Sequence, residues 1–348
     1  MSSLQVIFYD GIEKFYAAVS GVSEDTSLNT PFQYEDWQKK LFAEHIALKR
    51  KVPYLGAILF QDNIPILGGH FFVKRSGKRR GIFLLGSGGE TDYYDLVYFS
   101  ADSCEEYINF FLNQVAAKSK CQDFTFMQIP NESLLSNWAG RYSIEPYYVN
   151  ECAWVNLQGS FEEHLASLSK SVRQNIRTAN NRLTKDKHIA TLDIYDETDL
   201  PSDKITEIIN LYESRRKAKN EIRSVKIWLR EQLRKHNKKK YNIIAEAMKD
   251  MKGKFLAVYN IDSEIAAYCF GLKNKNGLSI CIMQVAINDD YNKYSPGILL
   301  LVEVFKKIIG QKDGQNFLFD LTNGNEKYKY SLGAVSHYTN YYKFCLNK

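Results

Sequence analysis

The residues of this chain best suited to bind a phosphate group lie in a short turn, Tyr294-Ser295-Pro296-Gly297. It separates an apolar run over residues 278–287, which predicts a strand, from a second run over 298–309 with helical spacing. The first N–H groups of a helix lack partners within the helix and lie at the positive end of its dipole, so they attract phosphate. Gly297 lets a ligand approach the backbone closely, and Pro296 rigidifies the helix start. The spacing predicts a phosphate site formed by Tyr294, Ser295, Pro296, Gly297 and Ile298.

A second group of reactive side chains follows the last apolar strand, predicted over residues 316–321. Asp320 ends that strand, and Glu326, Tyr328 and Lys329 follow a few residues later. Ligands of open α/β sheets bind at the carboxyl ends of the strands, so we expect these side chains to border one site. A carboxylate can accept a proton, a phenol can donate one, and a cation can stabilise developing negative charge. Structural roles also fit: Asp320 as a cap, Glu326 paired with Lys329, and Tyr328 in packing.

This part of the chain resembles the CelD/BcsL-like branch of the GNAT superfamily of acyltransferases, which is related to the FemABX aminoacyltransferases. In both, a small residue, Pro and Gly start a helix, and Gly-x-Glu and Tyr-Lys follow a strand that ends in Asp. The resemblance covers most of the chain and is strongest after about residue 161. It implies an N-acyltransferase that uses acetyl-CoA or another acyl-CoA as donor, without a metal. Lys329 matches a lysine of the FemABX catalytic cleft, and our predicted catalytic residues are Lys329, Glu326, Tyr328 and Asp320.

A basic helix is predicted over residues 161–184, where apolar side chains recur at intervals of three and four. Lys170, Arg173 and Arg177 form a row beside the apolar face. Arginines in such a row can bind a phosphate or carboxylate, although a solvated helix face has the same pattern. In the related families this helix is rich in Lys and Arg and helps to hold an anionic acceptor. The resemblance implies five substrate-binding residues: Arg173, Arg177, Arg215, Asp92 and Tyr93.

The positive charge of the chain is concentrated in two segments. The net charge is +6, from 46 Lys and Arg against 40 Asp and Glu. Residues 170–187 contain six Lys or Arg and one Asp, and residues 211–240 contain twelve Lys or Arg and three Glu, so the remainder is acidic. This distribution predicts a localised anionic partner.

Three functions fit these observations. In the first, the acceptor is an amine, small or sugar-linked and anionic, such as an amino sugar of surface-polysaccharide biosynthesis, a class that the resemblance alone implies. In the second, an aminoacyl group comes from charged tRNA, whose phosphates the basic segment 211–240 would neutralise. The third is a GNAT-like binding module without catalysis. The chain contains no Walker loop, Rossmann fingerprint, Gly-x-Ser-x-Gly or His-Glu-x-x-His motif.

The chain is predicted to contain one fold twice, as an α/β (α+β) protein of tandem GNAT-like domains, each with a mixed central sheet flanked by helices. At an offset of 200 residues, Asp62 aligns with Asp262 and Gly77 with Gly277. Each copy has three predicted strands joined by tight turns, the pattern of an antiparallel meander. The 348 residues suffice for two domains.

The two predicted domains are expected to differ in function. We expect a degenerate N-terminal domain over residues 1–150 and a domain with the donor site over 151–348. In place of the phosphate turn the first copy has Glu90 and Asp92, whose carboxylates would repel a pyrophosphate.

Other features of the sequence predict ordinary local structure. Six cysteines without a Cys-x-x-Cys pair predict free thiols, and the absence of a leader-like or long apolar segment predicts a cytoplasmic protein. Further helices are predicted over 33–49, 103–118, 204–219 and 225–236, and strands over 123–129, 153–157 and 188–194.

Overall fold

A computed structural model describes residues 3–24, 27–47, 53–76, 79–87, 91–196, 200–220, 242–312 and 314–346. The chain divides into two compact units, Met1–Glu151 with His337–Lys348, and Cys152–Ser336. The second unit thus ends at Ser336, whereas the predicted second domain runs to residue 348. The last twelve residues belong to the first unit because the last strand pairs with one of its strands. The predicted helix over 225–236 and residue Glu90 lie outside the described residues.

The first unit is built on an antiparallel meander followed by a helix and a parallel strand. Its sheet has the order β1-β2-β3-β4-β6-β13, and β5 pairs with β3. The β4–β6 pair is parallel, since helix α3 crosses between these strands. The elements are β1 (Leu4–Tyr9), α1 (Ile12–Ala18), α2 (Glu35–Ala47), β2 (Tyr54–Gln61), β3 (Ile64–Ser76), β4 (Arg79–Leu84), β5 (Val97–Tyr98), α3 (Glu105–Ser119), β6 (Asp123–Pro130), α4 (Leu134–Arg141) and β13 (Val335–Cys345).

The second unit repeats this plan. Its sheet has the order β7-β12-β11-β10-β9-β8, with a parallel β11–β12 pair joined through helix α9. The elements are β7 (Tyr148–Leu157), α5 (Phe161–Ser167), α6 (Lys170–Lys185), β8 (Ala190–Tyr195), α7 (Ser202–Asn220), α8 (Ile243–Asp250), β9 (Lys254–Ile261), β10 (Glu264–Lys273), β11 (Ser279–Ile287), α9 (Pro296–Gln311), β12 (Phe317–Asn323) and α10 (Lys327–Ser331). A 3-10 helix, Asp289–Tyr294, connects β11 to α9.

The tight turns of the two meanders have the same backbone conformation. Asp62 and Asn63 have φ of 49° and 69°, and Asp262 and Ser263 have φ of 51° and 70°. Two successive left-handed residues form the hairpin turn that matches the twist of antiparallel strands. The predicted repeat of a three-stranded meander is confirmed, and the fold is the predicted mixed α/β class.

The predicted helix over residues 161–184 is two helices, α5 and α6. The break lies at Leu168 and Ser169, which are both extended. The Ser169 hydroxyl caps α6 by accepting a hydrogen bond from Val172 N (3.3 Å). The Arg173 guanidinium donates from one Nη to the carbonyl oxygens of Ala166 (2.6 Å) and Leu168 (2.9 Å). The spacing of apolar residues continues across this break, so it predicted one helix. The break is made by hydrogen bonds at the helix ends, which do not change the apolar pattern.

Two further features of the described residues concern their helices and their cysteines. Within those ranges, no helix is both long and apolar enough to cross a membrane. All six cysteines lie in them, and none is part of a disulfide.

Candidate active site

The strands β11 and β12 separate toward their carboxyl ends. Their parallel register consists of three residue pairs and ends where Cys281 faces Asp320. Beyond this point β11 continues to Ile287, and the Thr322 hydroxyl bridges the gap by donating to the Ile282 carbonyl at 2.7 Å. Parting strands expose backbone groups to a ligand at the edge where α/β sheets bind ligands. The separation therefore marks a candidate site.

The predicted phosphate turn lies at the start of helix α9, directly after β11 and the 3-10 helix. Ser295 is the residue before the helix and has a left-handed φ of 49°. Among the described residues, its hydroxyl accepts no hydrogen bond from the first N–H groups of the helix. Pro296, which is buried, has no N–H, so Gly297 contributes the first N–H of the helix. Ile298, half-buried, already donates its N–H to the Ser295 carbonyl (3.0 Å). This geometry is compatible with an anion at Gly297 N–H, as the sequence predicts.

Gly297 has a packing role that the sequence did not reveal. A Cβ at this position would lie 2.8 Å from Cγ2 of Ile287, the last residue of β11. The glycine thus lets the helix start close to the strand end. A substitution at Gly297 would disturb both packing and any ligand, so it cannot separate the two effects.

The turn is anchored to helix α6. The buried Tyr294 donates its hydroxyl proton to Asp186 Oδ2 at 2.7 Å, and Lys293 Nζ lies 3.0 Å from the same oxygen. Arg182 donates to the Lys293 carbonyl at 2.9 Å. Tyr294 was predicted to contact the donor, but its side chain is 1% exposed and is held within the protein. Its observed contribution is to fix the turn.

Asp320 is buried at the point where the strands part. Its Oδ1 accepts a hydrogen bond from Thr322 N at 2.7 Å, and its Oδ2 lies 4.0 Å from the Cys281 sulfur. Thr322 has a left-handed φ of 50°, which turns the end of β12 away from an ideal strand. The predicted capping alternative for Asp320 is thus observed.

Lys329 is surrounded by backbone oxygen atoms. Its Nζ donates to the carbonyl oxygens of four successive residues, Leu321 (2.9 Å), Thr322 (3.3 Å), Asn323 (2.6 Å) and Gly324 (3.1 Å). Glu326 Oε2 is a fifth oxygen, at 3.2 Å. The residue is 2% exposed. An ammonium has three N–H donors, so five oxygens at this range occupy it fully, and these surroundings oppose the predicted contact between Lys329 and a reacting carbonyl.

Tyr328 is near three polar groups from other positions. Burial raises the pKa of its phenol, Glu326 and Cys269 raise this pKa further, and Arg215 lowers it. Arg215 belongs to α7 and also forms an ion pair with Asp289 at 2.9 Å. Of the predicted site residues, Glu326 and Arg215 thus both influence the pKa of Tyr328.

The remaining predicted substrate residues have different surroundings. Arg173 and Arg177 are both exposed on α6, and Arg173 also donates to carbonyl oxygens at the end of α5, as described above. Asp92 and Tyr93 belong to the first unit. The buried Tyr93 hydroxyl lies 3.1 Å from His337 Nε2, and the Asp92 carbonyl accepts from Gln128 Nε2 at 3.2 Å.

The sequence did not predict a buried polar pair on β10 and β11. The Tyr268 hydroxyl donates to Gln284 Oε1 at 3.2 Å, and both side chains are buried. Tyr212 of α7 helps to raise the pKa of Tyr268, after the larger effect of burial. A glutamine within the apolar part of strand β11 was the signal that could have found the pair, because buried polar groups need partners.

Comparisons with known proteins agree with this arrangement. Residues 170–330 match the family model described as an acetyltransferase (GNAT) domain. A search of curated proteins finds no match.

Solved structures are similar over nearly the whole chain. The structure of FemX covers 99% of this chain and 98% of its own, with 9% identity and a TM-score of 0.60. A tandem GNAT protein from the clavulanic acid biosynthesis pathway covers 99% of both chains, with 8% identity and a TM-score of 0.52. A conserved protein of unknown function from Bacteroides thetaiotaomicron covers 99% of this chain and 100% of its own, with 14% identity and a TM-score of 0.55. At these identities the likeness shows the fold alone.

The fold is therefore that of tandem GNAT proteins. Residues 170–330 match a GNAT acetyltransferase domain, and the protein is an acyltransferase. The candidate site, the parting of β11 and β12 with the start of α9, lies within this domain.

Proposed function

We propose that the protein transfers an acyl group, in the simplest case acetyl, from acyl-CoA to an amine acceptor. The observation that carries this proposal is the start of α9, where the Ser295 side chain does not cap the helix and Gly297 contributes the first N–H, at the end of the parting strand β11. This N-terminus would bind the pyrophosphate of coenzyme A, because its N–H and the helix dipole favour negative charge. The backbone groups of β11 beyond Cys281 would lie beside the pantetheine arm.

The chemistry needs a thioester carbonyl to be attacked by a neutral amine and the thiolate to leave. A phenol whose pKa burial raises stays protonated at neutral pH, so Tyr328 can donate a hydrogen bond to the departing sulfur. Glu326, whose side chain is 51% exposed, can accept a proton from the acceptor through a water. Asp320 is assigned to shaping the site, since its Oδ1 already accepts the Thr322 N–H.

The acceptor is proposed to be anionic. Helix α6 contains five Lys or Arg and no Asp or Glu, and Arg177 presents its guanidinium to solvent. Such a face can hold a phosphate or carboxylate. An amino sugar of a surface-polysaccharide pathway is the acceptor class that the resemblance implies.

A second candidate is aminoacyl transfer from charged tRNA. The similarity to FemX, at a TM-score of 0.60, favours it, as does the resemblance to the FemABX group. Most of the basic segment 211–240 lies outside the described residues, so its role as a tRNA docking surface stays a prediction.

The donor can be tested by placing a charge at the helix start. Ser295→Asp adds a carboxylate where the pyrophosphate would lie, and the same carboxylate stabilises the helix N-terminus, so folding is preserved. Aspartate and asparagine both tolerate the left-handed φ of this position. We expect Ser295→Asp to weaken acetyl-CoA binding on the order of 10-fold or more through repulsion of like charges. Isothermal calorimetry at constant salt gives the affinity.

The matched control is Ser295→Asn, which has the same shape without the charge and should bind acetyl-CoA nearly as the unchanged protein does. Equal acetyl-CoA affinity in the Asp and Asn variants would exclude the turn as the donor site. If the unchanged protein binds charged tRNA and not acetyl-CoA in the same calorimeter, the second candidate replaces the first.

A further inference from the structure

The end of strand β12 curls around the Lys329 ammonium. Thr322 has φ of 50° and Gly324 has φ of 106°, and these left-handed residues turn the chain so that successive carbonyl groups point inward. In an ordinary strand, neighbouring carbonyls point in opposite directions. Here the four carbonyl oxygens of residues 321–324 and the Glu326 carboxylate all lie within 3.3 Å of one nitrogen.

This arrangement requires a cation. Carbonyl dipoles that converge on one point repel one another, and a positive charge at the centre turns that repulsion into attraction. The ammonium in turn loses its hydration on burial, and oxygen neighbours replace the lost water. The curl and the lysine therefore depend on each other.

We propose that Lys329 is a positioning residue for acyl transfer, whose ammonium is a built-in cation that holds the β12 end and the start of α10, so that Tyr328 and Asp320 keep their places. The assignment rests on the proposed function and replaces the predicted contact of Lys329 with the reacting carbonyl.

One peptide plane links Lys329 to Asp320. In a trans peptide the C=O and the following N–H point in opposite directions. The Leu321 carbonyl points at Lys329 (2.9 Å), and the N–H of the same peptide, from Thr322, points away and donates to Asp320 Oδ1 (2.7 Å). Removal of the ammonium would free this plane to rotate, and Asp320 would lose a fixed donor.

Helix α10 links Lys329 to Tyr328. The helix has five residues, too few to be stable by its own hydrogen bonds, and Glu326 before it makes no side-chain cap. The Lys329 side chain joins this helix to the end of β12 through hydrogen bonds to the carbonyl groups of residues 321–324. Tyr328 is the preceding residue, so its phenol is placed by the same attachment.

The first test asks whether the ammonium is enclosed. The unchanged full-length protein is treated with formaldehyde and a mild reductant, which methylate accessible amines, and peptides are quantified by mass spectrometry. We expect Lys329 to be protected at least 10-fold relative to Lys327, which is exposed on the same helix. Equal methylation of both lysines in the folded protein would overturn the proposal.

The second test asks whether Lys329 places Tyr328, and it needs no substrate. The protein is labelled with 3-fluorotyrosine, and the fluorine NMR signal of Tyr328 is identified by its loss in Tyr328→Phe. We expect Lys329→Met, which keeps the length of the side chain and removes the charge, to shift or broaden that signal. Lys327→Met, the matched control, should leave it unchanged. An unchanged Tyr328 signal in Lys329→Met would contradict the proposed link.

The third test separates positioning from direct contact by kinetics. Release of the coenzyme A thiol from acetyl-CoA, as the acetyl group passes to the amine of glucosamine 6-phosphate, is measured for Lys329→Met, Tyr328→Phe and the double variant. If Lys329 acts through Tyr328, Lys329→Met lowers kcat, on the order of 100-fold for a misplaced group, with little change in the KM for acetyl-CoA. The double variant should then be no slower than Tyr328→Phe.

The link would be overturned if the fold-decreases in kcat of the two single variants multiplied in the double variant. A Lys329→Met variant with full kcat would also overturn it. Failure of the proposed function has a different signature: the unchanged protein would neither bind acetyl-CoA nor release thiol. In that case the methylation result still decides whether the Lys329 ammonium is enclosed, and the NMR result whether Lys329 holds Tyr328 in place. If Lys329→Met does not fold, methylation of the unchanged protein still tests the enclosure on which the proposal depends, and equal methylation of Lys329 and Lys327 overturns it.

Discussion

Lys329 and Tyr328 are neighbours in the chain, yet their side chains have different surroundings. The Lys329 ammonium is enclosed by oxygens of its own strand end, while the Tyr328 phenol is influenced by Arg215 of α7 and by Cys269 of β10. Arg173 and Arg177 are both exposed, but the Arg173 guanidinium donates hydrogen bonds to backbone carbonyls. At the scale of residues, the partners of a charged group decide whether it can meet a substrate.

A buried carboxyl in the first unit gives a pH prediction. Asp95 Oδ1 accepts hydrogen bonds from Leu96 N (2.7 Å) and the Tyr98 hydroxyl (3.0 Å), and burial raises the pKa of Asp95 from 3.8 to about 7. Because the folded state holds this proton more tightly, the stability from Asp95 is present below pH 4 and is lost as pH rises through 7.

Asp95→Asn keeps Oδ1 and removes this titration. Its free energy of unfolding relative to the unchanged protein should therefore rise between pH 4 and pH 7, by at most ~4 kcal/mol for a shift of this size. Urea denaturation at several pH values measures the difference. A difference that is constant across this window would mean that Asp95 titrates normally in the folded state.

At the scale of elements, the break between α5 and α6 gives the two arginines of α6 different roles. Arg173 joins the two helices, and Arg177 stays available to a ligand. Ser169 caps the start of α6, and the Arg173 guanidinium donates a hydrogen bond to the Leu168 carbonyl at the end of α5. The basic face that remains for an acceptor begins further along α6, at Arg177.

This difference predicts opposite effects for two arginine substitutions. Arg173→Ala removes two hydrogen bonds to carbonyls, so it should lower the free energy of unfolding by roughly 1 kcal/mol with little effect on acceptor binding. Arg177→Ala should leave stability unchanged and weaken binding of a phosphate-bearing amine several-fold, on the order of one lost charge-assisted hydrogen bond. Urea denaturation and calorimetry with glucosamine 6-phosphate measure the two quantities. The reverse pattern would assign the acceptor contact to Arg173.

At the scale of the whole molecule, the two units share a meander and differ where the crossover helix begins. Helix α9 starts with Pro296 and Gly297, whereas α3 starts with Glu105 and Glu106. Carboxylates at a helix N-terminus occupy the place of an anion and repel phosphate. The first unit is thus proposed to lack a donor site.

We expect calorimetry to give one acetyl-CoA per chain. Ser295→Asp should reduce binding at that single site, without a second site of similar affinity remaining. A stoichiometry of two, or residual binding of undiminished affinity in Ser295→Asp, would place a donor on the first unit and would contradict its proposed degeneracy.

The sequence by itself determined the elements of the two meanders and their repetition. The strands of both meanders, their Asp62 and Asp262 turns and the helix after Gly297 follow from side-chain periodicity and turn chemistry, which act between residues close in the chain. The family resemblance found the Asp320 to Lys329 cluster, which the structure places at the carboxyl end of β12.

Only the tertiary structure decided what the polar side chains bond to. Lys329 and Arg173 both bind backbone carbonyls, and Gly297 is required by a methyl group of Ile287. Every residue has the same carbonyl, so a partner of this kind leaves no mark on the sequence. Its position depends on how the backbone curls, and that was decided when the strand ends and helices packed together.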